Sequence, residues 1–176
     1  MSRATLADLN TLPAEDAVLS FGGFFENSPW IVKRALTRRP FDSLRAFHEA
    51  CMSVVRESPE EERLKLIRAH PDLVGRLARE GRLTAESTAE QKAAGLDTLS
   101  EKEISAFEEY NARYHRRFDF PFVICARENR KDAILAAFPE RLKNTRAREM
   151  ETAVEEIGKI AWLRMSDAIS DRTEEE

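Results

Sequence analysis

Apolar residues recur at intervals of three and four along most of the chain, which is the spacing of amphipathic α-helices. Between residues 41 and 57 they define one helical face, made of Leu44, Phe47, Cys51, Val54 and Val55. The same spacing predicts a helix through residues 104–118 and a last helix from about Thr145 to Ala168. The pattern therefore predicts an all-α protein, a single-domain bundle of about eight helices.

Local start signals support these helices. Ser28–Pro29 and Ser58–Pro59 each offer an N-cap residue followed by a proline, and Glu61 gives the second pair capping-box spacing. Ser100 and Glu103 repeat that spacing before the helix through residues 104–118.

Stop signals are equally frequent. Three glycines stand where a periodic segment ends, namely Gly22, Gly81 and Gly95. Pro71 disfavours a helical backbone at His70, so we expect a helix to end there. Pro139 predicts a kink or break in the helix that contains it.

One apolar run, residues 120–125 (Phe-Pro-Phe-Val-Ile-Cys), departs from helical spacing. Its β-branched and aromatic content is typical of a strand, but the sequence offers no second strand to pair with it. We therefore predict a buried extended connector, whose backbone N–H and C=O groups need other partners. Neighbouring side chains or a polar ligand could be those partners, and composition alone favours the side chains.

Composition limits the class of protein. The chain has 176 residues, 42% of them apolar and 34% charged, and a net charge of -4. This predicts one domain over residues 1–176, frayed from about residue 170, and argues against a generally basic nucleic-acid binder. No signal peptide, membrane span or peroxisomal tripeptide is visible, and Cys51 and Cys125 are too few for a disulfide framework. We expect a soluble, cytoplasmic protein.

His70 is the first candidate for chemistry. It stands at a predicted helix end, where its side chain can point into a cavity, and the unperturbed histidine pKa of about 6.5 suits proton transfer. The alternative is a favourable interaction with the C-terminal end of the helix dipole, which position alone favours.

Ser87, Glu90 and Gln91 form a second candidate cluster. Ser87 and Glu90 have capping-box spacing, and Gly95 closes the short helix, so spacing alone favours a structural explanation. The functional alternative is that the free N–H groups of this helix N-terminus, together with these side chains, bind a polar or anionic ligand.

Arg164 is the third candidate. It lies three residues beyond Ala161 and seven beyond Ile157, on the apolar face of the last helix. A buried guanidinium needs an anion, which either a core carboxylate or a ligand can supply. The alternative is that the side chain extends to the surface near the helix end.

The two remaining histidines, His48 and His115, are predicted to be surface or boundary residues. No pair of His, Cys or Asp residues has convincing zinc-ligand spacing, so we predict no metal site. Neither a glycine-rich phosphate loop nor a serine nucleophile elbow is present.

Several motifs stand in a fixed order along the chain. They are Asn10–Leu12, Phe24–Trp30, Arg39–Phe41, His70–Leu73, Leu83–Thr84, Ser87, Glu90–Gln91, Ala94–Leu96, Phe118, Phe120–Arg127 and Arg141–Asn144. Together they resemble the signature of the 2-oxo-4-hydroxy-4-carboxy-5-ureidoimidazoline (OHCU) decarboxylase family, over nearly the whole chain.

This resemblance implies a cofactor-free enzyme, usually a homodimer, that converts OHCU to (S)-allantoin and CO2 in urate catabolism. It implies that His70 is the catalytic proton donor and that Glu90 is its acidic partner. The other pocket residues that it implies are Pro71, Ser87, Gln91, Phe122, Val123, Ile124, Cys125, Ala126 and Arg164. Two alternatives remain: a helical interaction module without catalysis, and a lyase or hydrolase that uses the same His–Glu pair on another ureide.

Overall fold

The computed structural model describes residues 3–170 and is built mainly from α-helices. The helices are α1 (Leu6–Thr11), α2 (Ala14–Phe21), α3 (Trp30–Ala35), α4 (Leu44–Glu57), α5 (Glu60–Ala69), α6 (Arg76–Arg79), α7 (Ala85–Ala93), α8 (Glu101–Phe118), α9 (Lys131–Arg141) and α10 (Arg146–Ala168). Three short 3₁₀ turns span Gly22–Phe24, Leu36–Arg38 and Ala126–Glu128. The all-α prediction is confirmed. Within residues 3–170, no helix combines the length and the apolar character that crossing a membrane requires.

A short parallel ladder, which the sequence did not predict, joins β1 (Ala4–Thr5) to β2 (Ile169–Ser170). Each strand has only two residues, too few for an alternating pattern to be visible in the sequence. Ser170 is therefore paired with Thr5, although we expected the frayed tail to begin near it. The remainder of that predicted tail, residues 171–176, lies outside the described residues.

The chain forms two compact units. The first comprises Met1–Leu66 together with Gly158–Glu176, and the second comprises Ile67–Ile157. In the second unit the core is aromatic, and the rings of Phe122 and Phe138 stack with centroids 3.8 Å apart. The single functional domain that chain length predicts stays a prediction.

Several predicted helix ends are confirmed. The backbone N–H of Glu103 donates to Ser100 Oγ and the Ser100 N–H donates to the Glu103 carboxylate, which completes the predicted capping box at the start of α8. Helix α5 ends at Ala69, as Pro71 requires. At the end of α7, Gly95 adopts a φ of +78°, the left-handed conformation that glycine tolerates best.

Two local predictions are corrected. Helix α3 begins at Trp30, one residue later than expected, because Pro29 occupies the cap position. Pro139 does not break α9, which continues to Arg141. The proline lies in the last turn, where its missing N–H removes only one intrahelical hydrogen bond, and the Leu142 N–H still donates to the Phe138 carbonyl at 2.9 Å.

Candidate functional site

His70 is buried where α5 ends. Its side chain and backbone together are 8% exposed, and its Nε2 atom is inaccessible to solvent. The His70 N–H donates to the Ile67 carbonyl at 3.1 Å, which closes the last turn. The histidine is therefore buried and not exposed to the solvent.

The loop that follows His70 is fixed to two helices. The backbone N–H of Val74 donates to Gln91 Oε1 of α7 at 3.1 Å, and Nδ2 of Asn111 in α8 donates to the Leu73 carbonyl at 2.9 Å. Val74 has a φ of +55°, an uncommon conformation for a β-branched residue. The loop after His70 is thus hydrogen-bonded both to α7, the helix that carries Glu90, and to α8.

Thr84, and not Ser87, is the N-cap of α7, which corrects our capping-box interpretation. Thr84 Oγ1 accepts a hydrogen bond from the Ser87 N–H at 3.2 Å. Ser87 is therefore the third residue of the helix, and it is only 5% exposed. Gln91, one turn later, is 7% exposed, and Glu90 beside it is half-buried. The inward face of α7 is accordingly polar where an amphipathic helix is normally apolar.

Residues 121–125 form neither helix nor strand, as predicted, and side chains supply partners to their backbone. Arg141 Nη1 donates to the Val123 carbonyl at 2.5 Å, and the Cys125 N–H donates to Glu156 Oε2 at 2.8 Å. Asn129 Nδ2 donates to the Cys125 carbonyl at 3.0 Å. This confirms the side-chain alternative for these backbone groups.

The connector also lies within the electrostatic influence of Glu90. Burial raises the pKa of the Cys125 thiol to about 11, and the negative charges of Glu128, Glu156 and Glu90 contribute to the increase. The thiol is therefore protonated near neutral pH and is a poor nucleophile. Gln91 of α7 is hydrogen-bonded to the loop after His70, and the charge of Glu90 on the same helix acts on Cys125 of the connector. In the second unit, α7 therefore interacts with both other segments that carry predicted site residues.

Arg164 belongs to the first unit, where its partner is a core carboxylate. Arg164 Nη1 lies 3.0 Å from Glu26 Oε2, and their side chains are 6% and 3% exposed. The expectation that this guanidinium needs an anion is confirmed, and extension to the surface is wrong. Glu26 was not predicted as the partner, because the two residues are 138 positions apart and no spacing rule connects them.

The other two histidines have structural contacts. His48 Nε2 lies 2.8 Å from the Gly158 carbonyl oxygen, and burial lowers its pKa. His115 is exposed and pairs with Asp72, with 2.8 Å between Nε2 and Oδ1. In residues 3–170, His, Cys, Asp and Glu side chains form no group of three or more that could hold a metal ion.

Sequence reasoning did not identify Asn111 and Glu156 as residues that fix the site. Asn111 offered a signal, because it is a polar residue on the apolar face of α8. Glu156 offered no such signal, since in the sequence a glutamate on a long charged helix is typical of a solvated residue.

Comparison with known proteins agrees with the motifs. The family model described as OHCU decarboxylase matches residues 10–166. An OHCU decarboxylase of Haloferax volcanii is 38% identical over 97% of this chain and 99% of its own length. One from Amia calva is 38% identical over 93% of this chain and 94% of its own.

A solved structure of (S)-allantoin synthase superimposes with a TM-score of 0.74 and 25% identity. The match covers 95% of this chain and 54% of that one. The family model and the two relatives each cover more than four-fifths of this chain. The chain therefore belongs to the OHCU decarboxylase family.

Proposed function

We propose that this protein is a carboxy-lyase that decarboxylates OHCU to (S)-allantoin and CO2 in urate catabolism. Family membership supports the reaction, and the observation that carries the assignment of residues is the buried polar face of α7. Ser87 and Gln91 lie on that face, and Gln91 binds the backbone that follows His70. A polar inward face of this kind can form hydrogen bonds with the N–H and C=O groups of a ureide.

The substrate supplies most of the chemistry. Loss of CO2 leaves an electron pair, which the adjacent ring C=N accepts to give an enol-like intermediate. The substrate therefore acts as its own electron sink, the task that a cofactor performs in many decarboxylases. The protein must orient the departing carboxylate, move protons and determine which face of the intermediate is protonated.

His70 is the residue that we assign to proton transfer, with Glu90 as its acidic partner. A buried imidazole can donate a proton to the ring nitrogen or to the developing anion. A carboxylate beside it orients the ring and balances the positive charge of the protonated form. Protonation on one face only would give the S enantiomer.

The other predicted residues would bind the substrate. Ser87, Gln91 and the backbone of residues 122–126, with Pro71 beside His70, can match the ureido and ring amide groups, and such matching rejects compounds that lack those groups. The planar guanidinium of Arg164 pairs with Glu26, and we assign to Arg164 a contact with an anionic oxygen of the substrate as well.

The experiment couples urate oxidation and hydroxyisourate hydrolysis to this protein, and follows allantoin by circular dichroism. Wild-type protein should accelerate the appearance of (S)-allantoin. His70→Asn and Glu90→Gln should fold normally and lose about 10²–10⁴-fold in rate. Controls are Glu86→Gln, an exposed glutamate in the first turn of the same helix, and His48→Gln in the other unit. Retained activity with reduced stability in the first two variants would favour the purely structural roles.

We further propose that the protein works as a cytoplasmic homodimer and that residues 1–176 act as one functional domain. The family resemblance supports the dimer. Light scattering after gel filtration should give twice the 20.1 kDa protomer mass, and a value at the protomer mass would refute it.

A further inference from the structure

A buried network of charged and polar side chains holds the connector from one side. Arg141, at the end of α9, donates from Nη1 to the Val123 carbonyl. Its Nε donates to Glu149 Oε2 on α10 at 2.9 Å, and its Nη2 lies 2.9 Å from the same oxygen. Glu149 is fully buried and Arg141 is 9% exposed. One guanidinium therefore joins a connector carbonyl to a carboxylate of the core.

The rest of the network fixes the orientation of both charged groups. Asn144 Nδ2 donates to Glu149 Oε1 at 2.8 Å, and the Tyr114 hydroxyl donates to Oε2. Burial raises the pKa of Tyr114, so its phenol stays protonated and remains a donor. The Arg141 guanidinium carbon also lies 4.2 Å from the centroid of the Phe122 ring. With Phe122 against one face and its N–H groups bonded to Glu149 and Val123, this guanidinium has little freedom to turn.

A second anchor acts two residues further along the connector, where Glu156 accepts from the Cys125 N–H. Val123 and Cys125 are therefore both held through their backbone by charged side chains of α9 and α10.

We propose that Arg141 is a positioning residue for substrate binding. By holding the Val123 carbonyl, it determines which backbone groups of residues 122–126 face the substrate, so the proposal rests on the proposed function. Arg141 acts through the connector and needs no contact with the substrate itself. The competing explanation is that Arg141 only balances the charge of Glu149.

Arg141→Lys separates these two explanations. A lysine keeps a positive charge near Glu149, but its single ammonium cannot reproduce the fork that bonds the carboxylate and the carbonyl together. The matched control is Arg34→Lys, because Arg34 also makes a forked contact, at 2.6 and 2.9 Å to the two oxygens of Glu62, in the first unit. If the lysine variant fails to fold, the double variant Arg141→Met with Glu149→Leu replaces it in the same test, because it removes both charges together.

The assay measures kcat and KM on OHCU, and amide hydrogen exchange at residues 122–126. In Arg141→Lys we expect kcat/KM to fall about 10- to 100-fold, mainly through KM, and exchange to accelerate in the connector but not in α8. Arg34→Lys should change neither quantity. Wild-type KM with unchanged exchange would overturn the proposal, as would a rate loss that only follows the folded fraction. Inactivity of the wild-type protein on OHCU would refute the proposed function, and exchange would still decide whether Arg141 holds the connector.

Discussion

Removing one partner of the buried Glu26–Arg164 pair should destabilise the first unit strongly. Both side chains are almost fully buried and their charged atoms are 3.0 Å apart, so solvent screens the pair weakly. Loss of one partner leaves an uncompensated buried charge, which costs about 3–5 kcal/mol. For a protein of this size, 1 kcal/mol corresponds to roughly 2–4 °C in melting temperature, so Arg164→Met should lower it by roughly 6–20 °C.

The double variant, Glu26→Leu with Arg164→Met, removes both charges and should recover most of this loss, because two apolar side chains need no counterion. Urea unfolding followed by tryptophan fluorescence is the assay, since Trp30 and Trp162 both belong to this unit. A cost below about 1 kcal/mol for Arg164→Met alone, which is typical of exposed pairs, would refute this reasoning.

The same variants separate the two roles that sequence analysis left open for Arg164. If the guanidinium serves only Glu26, the double variant keeps the wild-type KM for OHCU. If it also binds the substrate, as we propose, the double variant is stable but its KM rises. Measured together, stability and KM therefore show whether Arg164 pairs with Glu26 alone or also with the substrate.

Two further predictions concern stability. A hydrogen bond from Lys131 and the Ser100 N–H lower the pKa of Glu103 from 4.5 to about 2, so its contribution to stability is complete above pH 4.5 and disappears as the pH falls to about 2. Between pH 5 and 2, the free energy of unfolding measured with urea should fall more steeply for wild type than for Glu103→Gln. An equal dependence on pH in the two proteins would contradict this prediction. A Cβ at Gly22 would lie 2.9 Å from Pro29 Cβ, so Gly22→Ala should cost about 1–3 kcal/mol in the same assay. Gly23→Ala, with nothing within 4 Å of its Cβ, is the control, and equal effects of the two alanines would contradict the steric argument.

The helices were predictable because burial and local capping follow rules of short range. The apolar face through residues 44–55 became the buried face of α4, and Ser100 became the cap of α8. Predictions failed where two local signals competed, as at the start of α7. Thr84 and Ser87 are both residue types that cap helices well, and Thr84 is the cap in the structure. With the helix beginning after Thr84, Ser87 and Gln91 are both buried on its inward face.

Contacts between distant segments were not predictable from spacing. The partner of Arg164 is Glu26, and the partner of the Val123 carbonyl is Arg141, which was recognised only as part of a family motif. Each pair is fixed by packing of whole helices, which one sequence does not specify. The ladder between Ala4–Thr5 and Ile169–Ser170 has the same origin.

The corrected cap changes the argument about α7. If Ser87 were the cap, capping would be a sufficient structural explanation for Ser87 and for Glu90 as its capping-box partner. Thr84 now performs that task, so helix initiation no longer explains a buried serine and a half-buried glutamate on the same side of the helix. Functional sites are among the places where proteins commonly retain buried polar groups. The capping-box explanation for Ser87 and Glu90 is therefore wrong, and substrate binding by the inward face of α7 stays a proposal, which the comparison of Glu90→Gln with Glu86→Gln decides.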